Sequence, residues 1–150
     1  MLDVAEIVER LHLTIGPGVE APIEPTVLRV SASILVEQAL DGVPVTPALF
    51  VLPGIEGVEN AADPWQPRHV VREELTIIAV VRNVSDPRGE AAAADLLTVS
   101  EAIKATLLGW RPTNRGPLVF VSAQPVGFDD QFLVWSETFA TRRSLVPQQA

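Results

Sequence analysis

The chain has 150 residues, a mass of 16.2 kDa and a net charge of −8, with a pI near 4.7. That length suits one domain over residues 1–150, whose core needs no metal or disulfide. The absence of cysteine excludes disulfides, thiolate metal sites, iron–sulfur clusters and cysteine nucleophiles, and the acidic balance argues against sequence-independent nucleic-acid binding.

Asp3, Glu6 and Glu9 at the start do not read as a secretory leader. The densest apolar run, Leu75 to Val81, falls far short of the roughly 20 residues of a membrane span, so a soluble protein is expected. Apolar residues make up 47% and 21 residues are valine, which favours a large β component.

In chain order, Leu2, Ile7, Val8 and Leu11 share one side of a 3.6-residue repeat and predict a helix over 2–13 that stops before Gly16. Pro17, Pro22 and Pro25 mark a loop. Thr26 to Val30 reads as a short strand, and Ser31 or Ser33 as the cap of a small helix through Leu40. Ala48 to Leu52, between two prolines, reads as a buried strand. The stretch from Pro53 to Pro67 lacks periodicity and reads as a long loop ordered by a partner.

Val70 to Asn83 is the strongest predicted strand, apolar on both faces at its centre. Asp86-Pro87 opens a helix whose Ala92, Leu96, Val99, Ile103 and Leu107 form one buried stripe, with Asp95 and Lys104 mainly on the solvated side. Gly109 ends it. A strand from Leu118 to Ser122, a turn around Gly127 and Asp129-Asp130, and a strand from Phe132 to about Arg142 follow, with a frayed tail over 145–150. The expected fold class is α+β: a mainly antiparallel sheet of four or five strands with two or three helices packed on it, and a crossover over 70–122.

The chain offers little for catalysis. His12 and His69 lie in separate elements, and no serine elbow accompanies them. Glu73 and Glu74 point to opposite faces of a strand, and Asp129-Asp130 suits a turn. No cofactor cradle or metal-ligand spacing is seen, so no catalytic, cofactor or metal residues are assigned. Arg142-Arg143 reads as a solvated strand end, with acids on a neighbouring subunit as the alternative. Trp110, at the helix end, reads as a plug of the core, and Trp135 as core or sheet face. Trp65, in the long loop, reads as the aromatic that touches a partner, with Ile55, Glu56, Val58 and Glu59 beside it.

Several segments together resemble the small tail terminator proteins of Mu-like tailed phages and prophages. They are Pro47-Ala48-Leu49-Phe50-Val51-Leu52-Pro53, Asn60, Val80-Val81-Arg82-Asn83, Gly89, Leu108-Gly109-Trp110-Arg111-Pro112, Gly116-Pro117-Leu118 and Trp135-Ser136-Glu137-Thr138-Phe139. The resemblance covers roughly residues 45–143. It implies a structural virion protein at the head–tail junction, assembled in the host cytoplasm. The implied unit is a homohexameric ring that caps the tail tube, stops its polymerisation and offers a surface to the head-side connector. DNA would pass through the lumen without specific binding, and no membrane is involved. Six copies at −8 each give −48, a charge that suits a passage for DNA. A head–tail connector or stopper ring is the nearer alternative. The farther one is a small-molecule enzyme with a pocket under the 53–67 loop.

Overall fold

The computed structural model describes residues 1–20, 22–33, 45–59, 68–82, 90–128 and 131–146, with Phe128 described by its backbone alone. Helix α1 spans Val4–Ile15 and starts where the Asp3 side chain accepts from the Ala5 N–H at 3.0 Å. Leu2 before the cap and Ile7 one turn later both enter the core, a staple that fixes the approach of the chain. Ile7, Leu11 and Ile15 carry the buried stripe, four residues apart.

Five strands follow: β1 Arg29–Ala32, β2 Ala48–Val58, β3 His69–Arg82, β4 Val119–Phe128 and β5 Phe132–Leu145. Helix α2, Glu90–Leu107, lies between β3 and β4. The strands form one sheet in the order β1-β2-β3-β5-β4. The β1–β2 pair is parallel and the other pairs are antiparallel. The class is α+β as expected, with a mixed sheet rather than a purely antiparallel one. β3 and β4 therefore run parallel with β5 between them, joined through α2 as the strand–helix–strand reading required.

Register sorts the side chains by parity. Leu49 and Val51 of β2, Leu75, Ile77, Ala79 and Val81 of β3 and Phe139 of β5 share the main core with α1 and α2. On the opposite face, Ala48, Phe50, Leu52, Ile78, Val80 and Val134 form a second apolar cluster. Burial on both faces explains why the centre of β3 reads as an unbroken apolar run.

The stripe of α2 falls where its spacing put it: Ala92, Leu96, Val99, Ile103 and Leu107 are all buried. Lys104 corrects the expectation of a solvated side chain. Its ammonium lies 3.6 Å from Glu137 Oε1 and 5.1 Å from the centroid of the Phe120 ring. Glu137 is fully buried beneath α2, where Ser100 and the Trp135 indole N–H also donate to Oε1.

Several boundaries differ from the sequence reading. β1 begins three residues later than expected, at Arg29, and runs through Ser31 to Ala32, so Ser31 is strand and not a helix cap. β2 does not stop at Leu52 but runs through Pro53 and Gly54 to Val58, so the first part of the expected loop is strand. A β-bulge between Pro53 and Glu56 absorbs the irregularity. Gly54 is needed there, because a Cβ would lie 2.9 Å from the Glu74 carbonyl oxygen. β4 continues past Ser122 through Pro125 and Gly127, again with register shifts, and Leu145 closes β5 instead of opening the tail. The rest of the expected small helix, Trp65, Asp86-Pro87, Gly89 and Asp129-Asp130 lie outside the described residues.

Candidate partner-binding site

The ends of β2 and β5, the start of β3 and the loop after α2 meet at one outer corner of the sheet. The loop is built tightly. Gly109 adopts φ +78, a left-handed conformation that favours glycine, and turns the chain out of α2. Its N–H reaches the Leu118 carbonyl at 3.0 Å, and the Leu118 N–H returns to the Trp110 carbonyl at 2.9 Å. Between them Pro112 to Arg115 close a turn, with Asn114 at φ 59. Thr113 ties the turn to α1 by donating its N–H and hydroxyl to Glu6 at 2.8 and 2.9 Å. Gly116 N–H ties it to β5 through the Arg142 carbonyl at 2.9 Å.

This loop delivers Arg115 to Glu73, which is 1% exposed. The guanidinium forks onto the carboxylate, Nε at 2.8 Å from Oε1 and a terminal nitrogen at 3.3 Å from Oε2. Arg143 Nε stands 3.1 Å from the same Oε1, and the Met1 amine lies 3.6 Å from Oε2. Across the sheet Glu73 is in register with Glu56, a like-charge pair that would repel. Arg143 resolves it by also donating to Glu56 at 2.8 Å. That contact, with desolvation opposing and the Met1 amine helping, holds the Glu56 carboxyl below its ordinary pKa.

The other sheet face mirrors the arrangement with the signs exchanged. Arg72 and Arg142 are in register, and each has its own acid: Arg72 meets Glu74 at 3.1 Å and Arg142 meets Glu59 at 2.8 Å. Strand alternation therefore sends the adjacent Arg142 and Arg143 to opposite faces, each to carboxylates of this same chain. Glu73 and Glu74 divide in the same way, as the sequence implied.

Of the residues singled out in the sequence, Glu56, Glu59, Arg142 and Arg143 thus converge at this corner. Ile55 and Val58 flank them at 75% and 45% exposure. Trp110 is half-buried against the core with the Arg10 guanidinium 5.4 Å from its ring centroid, and Trp135 packs on the same core. His12 is exposed on α1 and His69 opens β3. Sequence reasoning missed Arg115, Glu73 as its partner, and Arg111. The detectable signal was Glu73 sharing its strand parity with Val71, Leu75, Ile77, Ala79 and Val81, an otherwise apolar face on which a carboxylate demands a cation.

Three openings surround the corner. A cleft of about 510 Å³ is lined by Arg68, Arg111, Asn114, Arg115, Arg142 and Arg143. A second, about 320 Å³, shares Gly116 and Arg142 with it and is walled by Pro117, Val119 and Ala140. A third, about 190 Å³, lies over Ile55, Val58 and Glu59. Among the described residues no group of three His, Cys, Asp or Glu could hold a metal ion, and no helix is long and apolar enough to cross a membrane.

Set beside known families, the chain matches the model of the phage tail terminator protein over residues 26–148, a span that includes all five strands and α2. The chain belongs to the phage tail terminator family, and so is a structural protein of the phage tail. No curated protein matches it. Among solved structures it is similar to a chain described as "Virion of native gene transfer agent (GTA) particle". The two share 15% identity over 95% of this chain and 87% of that one, with a TM-score of 0.46.

Proposed function

We propose that this protein is the terminator of the tail: its subunits close into a homohexameric ring that caps the tail tube, ends its polymerisation and presents a docking surface to the head-side connector. The observation that carries this reading is the family match over residues 26–148. The fold is compatible with it. β4 is an edge strand with Val119, Phe120, Val121 and Val126 exposed, and the far half of β2 exposes Ile55 and Val58 across the sheet. Two unlike open edges suit head-to-tail contacts, which close into rings. Ile55, Glu56, Val58, Glu59, Trp65, Arg142 and Arg143 are the proposed partner-facing residues. DNA passes through the lumen of such a ring without specific contacts.

The mechanism follows from mismatch. A tube grows because each ring presents an end that the next recognises. A terminator binds that end with one face and offers a different surface on the other, so addition stops. Electron micrographs of lysates lacking this protein test the reading. Overlong tails without heads are expected. Tails of normal length that fail only to join heads would assign the protein to a stopper ring instead, and normal joined tails would remove it from this step.

A further inference from the structure

We infer that the arginine-lined cleft at the sheet corner is a docking site for an acidic segment of a partner protein. The inference rests on the cleft's own chemistry and does not require the ring. Five of the chain's 11 Lys and Arg residues, Arg68, Arg111, Arg115, Arg142 and Arg143, line one opening in a molecule of net charge −8. Gathering like charges is unfavourable unless anions are present. Among the described residues Glu73 and Glu56 bind Arg115 and Arg143, and Glu59 meets Arg142.

The hydrogen bonds separate wall from mouth. Arg115 is fully engaged, with Glu73, the Thr113 carbonyl and the Met1 carbonyl around its guanidinium. Arg143 is held between Glu73 and Glu56. Arg142 is 66% exposed and meets Glu59 through Nε, and Arg111 is exposed with no ion-pair partner among the described residues. A guanidinium carries five N–H donors, so Arg111 and Arg142 retain capacity directed at solvent. A volume of about 510 Å³ falls in the range of ligand sites, roughly 300–1,000 Å³.

The ligand is a short acidic protein segment rather than a nucleic acid. A long polyanion would meet the acidic remainder of the molecule, whereas a short segment brings a few charges to the cleft alone. The adjoining cavity beside Pro117, Val119 and Ala140 gives a neighbouring apolar side chain of that segment a place. The expected partner therefore presents acidic residues next to a bulky apolar one.

Fluorescence anisotropy with a labelled glutamate-rich peptide containing one leucine tests this, against the same peptide with glutamines. The glutamate peptide should bind at low ionic strength and weaken as salt rises. Arg111→Glu with Arg142→Glu should weaken binding on the order of tenfold or more, and the milder Arg111→Gln should weaken it less. Arg82→Glu, at the far end of β3, should leave it unchanged. Urea midpoints confirm that each variant is folded. Equal binding of the glutamine peptide, equal loss in Arg82→Glu, or no binding at low salt would overturn the proposal. Tighter, cleft-dependent binding of an oligonucleotide would overturn it in favour of phosphate. Loss of self-association in the reversed variant, without any peptide binding, would overturn it in favour of a second copy.

Discussion

Two glutamates lie buried on the helix-facing side of the same sheet, and their surroundings differ. Glu73, at the outer end of β3, is held by Arg115, Arg143 and the Met1 amine, cations that arrive from three distant parts of the chain. Glu137, in the middle of β5, has one ammonium, Lys104, and two neutral donors, Ser100 and Trp135, all directed at Oε1. Its Oε2 has no hydrogen-bond partner among the described residues. The first carboxylate works as a clasp that joins the N-terminus, the loop after α2 and the end of β5. The second seats a single helix. Buried charge thus serves two purposes here, and the number of cations on each carboxylate, three against one, tells them apart.

The sharpest way to break the comparison is to remove each carboxylate's cations. Arg115→Ala should cost about 3–5 kcal/mol, because it leaves a buried carboxylate deprived of its bidentate partner. Lys104→Ala should cost less, about 1–3 kcal/mol, since its ammonium stands farther off at 3.6 Å, is more exposed than Arg115 and makes no bidentate contact. Asp95→Ala, on the same helix, should stay within about 0.5 kcal/mol. Urea midpoints order the three. Equal losses for Arg115→Ala and Lys104→Ala would mean that the close bidentate contact does not set the cost. The ion pair at Glu137 cannot be replaced without cost: Glu137→Leu with Lys104→Met leaves the Ser100 hydroxyl and the Trp135 N–H without their acceptor and should cost about 1–3 kcal/mol.

A subtler change separates the two regions through the backbone. Gly109→Ala forces an L side chain into the left-handed conformation at φ +78, a strain of about 1–2 kcal/mol. Among the described residues no atom stands within 4 Å of the added Cβ, so the cost is conformational and not steric. Because Gly109 launches the loop that delivers Arg115, amide exchange should quicken around Thr113 to Gly116 and remain unchanged near Ser100. Uniform acceleration would show that the loop and the helix seat are one cooperative unit.

What could be read from the sequence follows the same division. The α2 stripe was legible because packing against a core imposes a 3.6-residue period on Ala92, Leu96, Val99, Ile103 and Leu107. The centre of β3 was legible because both its faces are buried. The outer half of β2 and the far end of β4 were not. Their backbones pair on one side only, so Pro53, Gly54, Pro125 and Gly127 are tolerated and look like turns. At the corner, alternation did place Glu73 and Glu74 on opposite faces. The same rule applied to Arg142-Arg143 would have given one cation to each face. Arg115 was out of reach, since its pairing with Glu73 spans 42 positions and depends on a loop whose path no periodicity records.

The smallest effect concerns Glu56, at the exposed rim of the clasp. Arg143 donates to it at 2.8 Å, and this contact, ahead of an opposing desolvation and a helping Met1 amine, lowers its pKa from the ordinary value of 4.5. A carboxyl with a depressed folded-state pKa binds its proton more readily when unfolded. Its contribution to stability is therefore complete above the ordinary value and is lost as the pH falls through the lower folded value. Glu56→Gln should cost a little at neutral pH and nothing once the acid limb has passed. The wild-type and variant urea midpoints, followed from pH 7 downward, should therefore converge below the ordinary carboxylate range. The substitution leaves the contacts between Glu73 and Arg115 in place, so the variant should fold. A gap that stays constant with pH would show that Glu56 acts through packing alone, and would confine the electrostatic clasp to Glu73 and its two arginines.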